Sequence, residues 1–221
     1  MTAWEPGDGS IEDRLSLADW RRRIAALYVE VRAMATIDPA IAHAHWRAVR
    51  EQLYREHPQS PVPSSRRATF RARHFDHDPR LRFRTVIEPA PPPPARPGAL
   101  TLELPDSGAD ALAFRRVGIV RLPFPDGERT LSAFWMSGYA GGLFIPFRDA
   151  TNGNETYGAG RYLLDAAKSA DLGADPETGA LILDFNLAYQ PSCAFDPRWA
   201  CPLAPPDNRL DFGVRAGERL T

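Results

Sequence analysis

The densest set of side chains able to do chemistry lies between Phe144 and Tyr162, FIPFRDATNGNETYGAGRY. Arg148, Asp149, Glu155 and Arg161 place two cations and two carboxylates there, and Tyr157 and Tyr162 add phenolic donors. Arginines of this kind hold an anionic group through charge-assisted hydrogen bonds. A Glu or Asp whose pKa is raised by burial can act as a general base. The same charges also suit an ion-pair network that fixes a turn, so both readings stand. GNETYGAG is not a phosphate loop, because it lacks the Gly-Lys-Ser/Thr ending and no helical period follows it.

A second polar set follows in DFNLAYQPSCAF, Asp184 to Phe195. On a strand, LILDFN puts Ile182, Asp184 and Asn186 on one face and Leu183 and Phe185 on the other. Asp184 and Asn186 then line a pocket mouth or pair with Arg161, and Tyr189 reaches the same opening. Cys193 and Cys201 have seven residues between them, which is not a C-x-x-C spacing. Zinc would need two further ligands, and the five histidines lie far upstream with no matching pair. No metal and no cofactor is expected. Structural, reduced thiols are the leading reading of the cysteines, with a disulfide or a nucleophile as alternatives. No Gly-x-Ser-x-Gly elbow is present.

These groups must be positioned by a small number of elements. Residues 1–15 read as a polar, flexible tail. Ser16 is a candidate N-cap, and Trp20, Ile24, Leu27, Val31 and Met34 then recur at helical spacing. Asp38 and Pro39 open a second helix, which ends by His57 because Pro58 disfavours a helical residue before it. Residues 16–57 thus form a helical segment. From Gln59 onward short alternating runs replace the helical period, and residues 58–221 read as one β domain.

Strands are expected over 66–74, 81–88, 100–104, 111–122, 130–136, 142–147, 156–164, 181–186 and 210–215. PDSG, FPDG and ADPETG supply turns between them. Asn152-Gly153 is a strong turn dipeptide, and Gly158 and Gly160 leave a strip without side chains that suits a bend in a barrel wall. The proline-rich APPPPARPG, Ala90 to Gly98, is expected as a stiff surface loop. About nine short strands with no helix between them argue for an antiparallel barrel or sandwich.

Composition bounds the function. A chain of 221 residues with net charge −1 has no concentrated positive charge for nucleic acid or an anionic membrane surface. Seven arginines do fall between Arg66 and Arg84, where strand alternation would leave their heads in water. No run of eighteen apolar residues exists, and the N-terminus shows no apolar signal region, so a cytoplasmic location is the default expectation.

The order FIPFRDATNGNETYGAGRY, DFNLAYQPSCAF and CPLAPPDNRLDFGVRAGE resembles the bacterial and archaeal family called domain of unknown function 1684. WRAVREQLYREHPQSPV and HDPRLRF are similar to its compact single-domain branch, so the likeness runs from about His45 to Glu218. Gln190 stands where that family tends to have Asn, and His77 where it tends to have an aromatic. The resemblance implies an α+β, mainly β protein: an antiparallel, calycin-like β-barrel of about nine strands with two N-terminal helices. It lends no residue a catalytic role.

The expectation is therefore a small-molecule-binding β-barrel, with an anionic or polyhydroxylated ligand at its mouth. The candidate binding residues are Arg148, Asp149, Glu155, Tyr157, Arg161, Tyr162, Asp184, Asn186 and Tyr189. One alternative is a hydrolase or isomerase using Glu155 or Asp184 as acid or base. The other is an interaction domain whose N-terminal helices form a dimer element.

Overall fold

The computed structural model describes residues 9–90, 101–103, 113–137 and 141–220. The proline-rich loop, the PDSG turn and most of the N-terminal tail lie outside the described residues. Helix α1 spans Ile11–Ala35 and is capped by Ser10, whose hydroxyl accepts from the Asp13 N–H at 3.0 Å. It starts one and a half turns before the expected cap at Ser16, so residues 11–15 of the expected tail are helical. Helix α2 spans Pro39–Glu56, with Asp38 accepting from the Ala40 N–H at 2.8 Å and an extended His57 ending it before Pro58.

The expected strand over 66–74 does not form. A single turn, α3 (Ser64–Arg67), follows Pro63, and only β1 (Arg73–His74) is extended. The Arg67 guanidinium reaches back to the carbonyls of Pro58, Ser60 and Val62, and Phe70 packs with Tyr54, Val62 and Phe195. Those contacts need a compact turn, which local alternation cannot foretell.

Strand β2 (Arg82–Thr85) pairs with β8 (Leu181–Asp184). Between them in sequence lie β3 (Thr101–Glu103), β4 (Ala113–Phe124), β5 (Gly127–Met136), β6 (Gly142–Phe147) and β7 (Arg161–Asp165), an antiparallel sheet in that order. FPDG closes the long β4–β5 hairpin, with Phe124 opposite Gly127. Pro146 shifts the β6–β7 register, as a residue without an N–H donor must. The final strand, β9 (Glu218–Arg219), pairs with β1. Residues 210–215, expected as a strand, instead follow a parallel bridge between Arg148 and Arg209.

Among the described residues no sheet closes into a barrel. Closure would need the strand after β7 to carry the sheet round to β3, but β8 pairs with β2. Alternation shows the reason. Val120, Leu122, Leu131, Ala133, Ile145 and Phe147 point to one face, where Phe83, Leu181 and Leu183 of the β2–β8 ribbon, and Phe185 just after β8, cover them. Phe114, Phe134, Phe144 and Tyr162 point to the other, where they meet Leu27, Tyr28, Val31 and Trp46 of α1 and α2. Both faces of the sheet are apolar, and each is covered by its own layer. Each fully buried aliphatic or aromatic side chain in these layers is worth roughly 1.5–3 kcal/mol of transfer free energy.

Candidate functional site

The expected binding residues fall into separate groups. Arg161, at the start of β7, and Asp149, just after β6, are both fully buried and paired at 2.8 Å. The same Nη2 donates to Val214 O at 2.7 Å, while Nη1 donates to Glu218 O at 3.2 Å and to Ala216 O. Burial lowers the Arg161 pKa, and Asp149 opposes that shift. Arg161 therefore fastens the C-terminal segment to the turn after β6.

That turn is built from side chains. Asp149 accepts from the Thr151 N–H at 2.6 Å, Asn152 accepts from the Asp149 N–H at 2.7 Å, and Asn152 donates to Thr156 Oγ1 at 2.9 Å and Tyr157 O at 3.0 Å. Its hydrogen bonds occupy residues 149–157, so the strand expected from 156 begins only at Arg161. Gly160 has φ +104°, and a Cβ there would lie 2.5 Å from Phe147 O, so the glycine serves a close backbone approach.

Asp184 does not meet Arg161. Its carboxylate accepts from Arg82 at 2.9 Å and from the Asn186 N–H at 2.9 Å. Asn186 in turn holds Asp78 by both backbone groups at 2.8 Å. Glu155 takes two hydrogen-bonding nitrogens of Arg215, the nearer at 2.8 Å, and Arg148 donates to Gly158 O at 2.9 Å. Tyr189 donates to Asp165 at 3.1 Å.

Sequence reasoning missed Arg50. It is buried on α2, donates to Glu218 at 2.7 and 2.9 Å, and lies over the rings of Trp46, Tyr54 and Tyr189 at 4.7–4.9 Å. Trp46, Arg50 and Tyr54 recur at intervals of four, a pattern that could have marked a cation between two rings on one helix face.

An open cleft of about 350 Å³ lies between α1 and the 192–201 segment, and none of the nine expected residues lines it. Leu17, Trp20 and Ile24 of α1 form one wall, and Lys168, Trp199 and Cys201 lie across from them. The Trp199 indole N–H is buried and has no hydrogen-bond partner. Lys168 is half exposed, 3.5 Å from Asp165, with its ammonium over the Tyr162 ring.

At the edge of this cleft the two cysteines meet as free thiols. Cys193 lies in a 3-10 turn, Ser192–Ala194, and its N–H donates to Cys201 Sγ at 3.3 Å. A hydrogen bond from the Cys193 thiol lowers the Cys201 pKa, aided by backbone N–H groups and the charge of Lys168. Cys193 is raised because its thiol donates to Cys201 and because it is buried. Tyr157 is pushed up to about 12 by burial and its contact with Cys193; Tyr162 is raised by burial and by Cys201. The Tyr162 hydroxyl donates to Pro202 O at 2.7 Å. Of the nine expected residues, Tyr157 and Tyr162 are thus the ones placed beside the thiols.

A second cluster joins His43 of α2 to His74 and His77, with ring centroids 6.3 and 5.4 Å from His43. His43 Nε2, both His74 nitrogens and His77 Nε2 are buried without hydrogen-bond partners. Burial and Arg47 push the His43 and His74 pKa values down to about 3. Among the described residues no group of three or more His, Cys, Asp or Glu is arranged to hold a metal ion. Nor is any described helix long and apolar enough to cross a membrane.

Comparison with known proteins gives a fold and a family. The chain is similar to an uncharacterized protein from gene locus rrnAC0354 of Haloarcula marismortui, solved by solution NMR. The two share 32% identity over 79% of this chain and 90% of that one, with a TM-score of 0.56. No curated protein matches the chain. The sequence profile described as "Protein of unknown function (DUF1684)" matches residues 69–219, which takes in both thiols, the Arg161 pair and the C-terminal segment. The chain belongs to the DUF1684 family.

Proposed function

We propose that the protein binds a small anionic molecule with an apolar or aromatic body in the cleft between α1 and the 192–201 segment. The observation that carries this reading is the buried, unpartnered indole N–H of Trp199, a residue that lines the cleft together with Lys168. A buried donor left unsatisfied costs roughly 1–3 kcal/mol, and an acceptor on a ligand removes that cost. Lys168 supplies the charge, and Leu17, Trp20 and Ile24 supply the apolar wall. Tyr157 and Tyr162 stand behind the thiols at the edge of the cleft. None of the other seven expected residues lines the cleft: Arg148, Asp149, Glu155 and Arg161 hold the turn after β6 and the C-terminal segment, Asp184 and Asn186 hold the β2–β8 ribbon, and Tyr189 bonds Asp165. Two free thiols fit the reducing cytoplasm.

The test is a thermal-shift panel of aromatic and aliphatic carboxylates and phosphate esters on the purified protein. A ligand present at a hundred times its Kd should add about 2.7 kcal/mol, a rise of roughly 5–10 °C for a domain of this size. Lys168→Ala and Trp199→Phe should each reduce that rise, and Arg129→Ala, on the distant β5, should not. A panel that stabilises nothing, or stabilises all three variants equally, sinks the reading.

A further inference from the structure

We propose that Cys201 and Cys193 are a reactive dithiol: a hydroperoxide reaching the cleft oxidises Cys201, and Cys193 then closes a disulfide with it. This goes beyond the binding of an anion, because it requires no molecule in the cleft other than the oxidant.

Four observations carry it. Cys201 lines the cleft and is partly exposed, so a small oxidant reaches its sulfur. The Cys193 N–H already donates to that sulfur from 3.3 Å, and the two side chains are in contact. Lys168 on the same wall favours negative charge on Cys201 and on the oxygen that leaves. Finally, Cys193 sits in a single 3-10 turn and Cys201 in a segment with no regular structure, so the sulfurs can close the remaining distance without breaking a strand ladder.

The chemistry divides the two cysteines by role. The Cys201 thiolate attacks the terminal oxygen of the hydroperoxide. An S–O bond forms, the O–O bond breaks, and the departing alkoxide or hydroxide takes the proton that Cys201 gave up on ionising. Cys193 then attacks the Cys201 sulfur. The S–S bond forms, the S–OH bond breaks, and the leaving hydroxide takes the Cys193 proton to become water. The two sulfurs lose two electrons in all, and the peroxide gains them. Cys193, in contact with Cys201 and Tyr157 and not part of the cleft's lining, is placed to resolve and not to attack first.

Intact mass spectrometry of the reduced full chain after a small excess of hydrogen peroxide tests the proposal. The expected product has lost two hydrogens, yields one cross-linked peptide joining Cys193 to Cys201, and returns to the starting mass with dithiothreitol. In Cys193→Ser, dimedone should label Cys201; in Cys201→Ser, Cys193 should stay unlabelled. On the wild type at pH 7, iodoacetamide should alkylate Cys201 at least about tenfold faster than Cys193, a comparison that stands if either variant fails to fold. A wild type that gains oxygen without pairing, or that alkylates both thiols at the same rate, overturns the proposal.

Discussion

Arg161 gives hydrogen bonds to three backbone carbonyls and one carboxylate while wholly removed from water. Removing one partner of such a pair leaves a buried charge uncompensated, which costs roughly 3–5 kcal/mol. Arg161→Met deletes the cation and strands Asp149 with the carbonyls of Val214, Ala216 and Glu218. It should lower unfolding free energy by about that amount in urea titrations. Arg84→Met, which removes an exposed ion pair to Asp175, should cost less than about 1 kcal/mol. Equal effects of the two would show that the buried pair does not anchor the C-terminus. That Arg161 would meet a carboxylate was legible from its neighbourhood in the chain. Its carbonyl partners were not, because they arrive from more than fifty residues downstream.

At the scale of elements, the short polar connections do as much as the strands. Asn186 lies in the 3-10 turn Phe185–Leu187 directly after β8 and grips Asp78 just before β2. The end of the β2–β8 ribbon where Arg82 pairs with Asp184 is thereby set, in the layer that covers one face of the large sheet. Asn186→Ala would leave a buried N–H and C=O of Asp78 without those partners and should destabilise by about 1–3 kcal/mol. Amide hydrogen exchange should speed up first in residues 82–85 and 181–184. Unchanged protection there would contradict this role. Alternation identified β2 and β8 as strands, and ADPETG as a turn, where Asp175 accepts from Glu177 and Thr178 N–H groups. It could not say that these strands pair with each other, since the ninety-five residues between Thr85 and Leu181 separate them on the chain and not in space.

Over the whole molecule, the helical layer is held to the rest through buried groups that respond to pH. His43 and His74 sit between α2 and the β1–β9 pair, facing His77 and Trp46 with Arg47 adding like charge. Their folded pKa values, about 3, lie below the unfolded value near 6.5. Below pH 6.5 the unfolded chain therefore binds protons that the folded chain refuses. Stability is complete above that pH and falls as pH drops toward 3, by up to about 1.4 kcal/mol per pH unit for each ring. Urea melts at pH 7 and pH 5.5 should show this loss, and His43→Phe should show less of it. A wild type equally stable at both pH values would rule the cluster out as the cause. The apolar stripe of α1 is buried on the sheet, and Ile37 and Ile41 are exposed near the turn between the helices.

The sequence by itself determined the two helices, most of the strands and tight turns, and the family. These follow from local periods, caps and turn chemistry, which need only a few neighbouring residues. Tertiary structure decided the rest. It turned an expected barrel into a sheet covered on both faces, because which strand pairs with which depends on the sum of contacts across the core. It brought Arg50 to Glu218, and Lys168 to Cys201, across distances in the chain that no local pattern encodes. The cysteine spacing ruled out familiar motifs. Only the packing of the Ser192–Ala194 turn against residue 201 placed one thiol against the other.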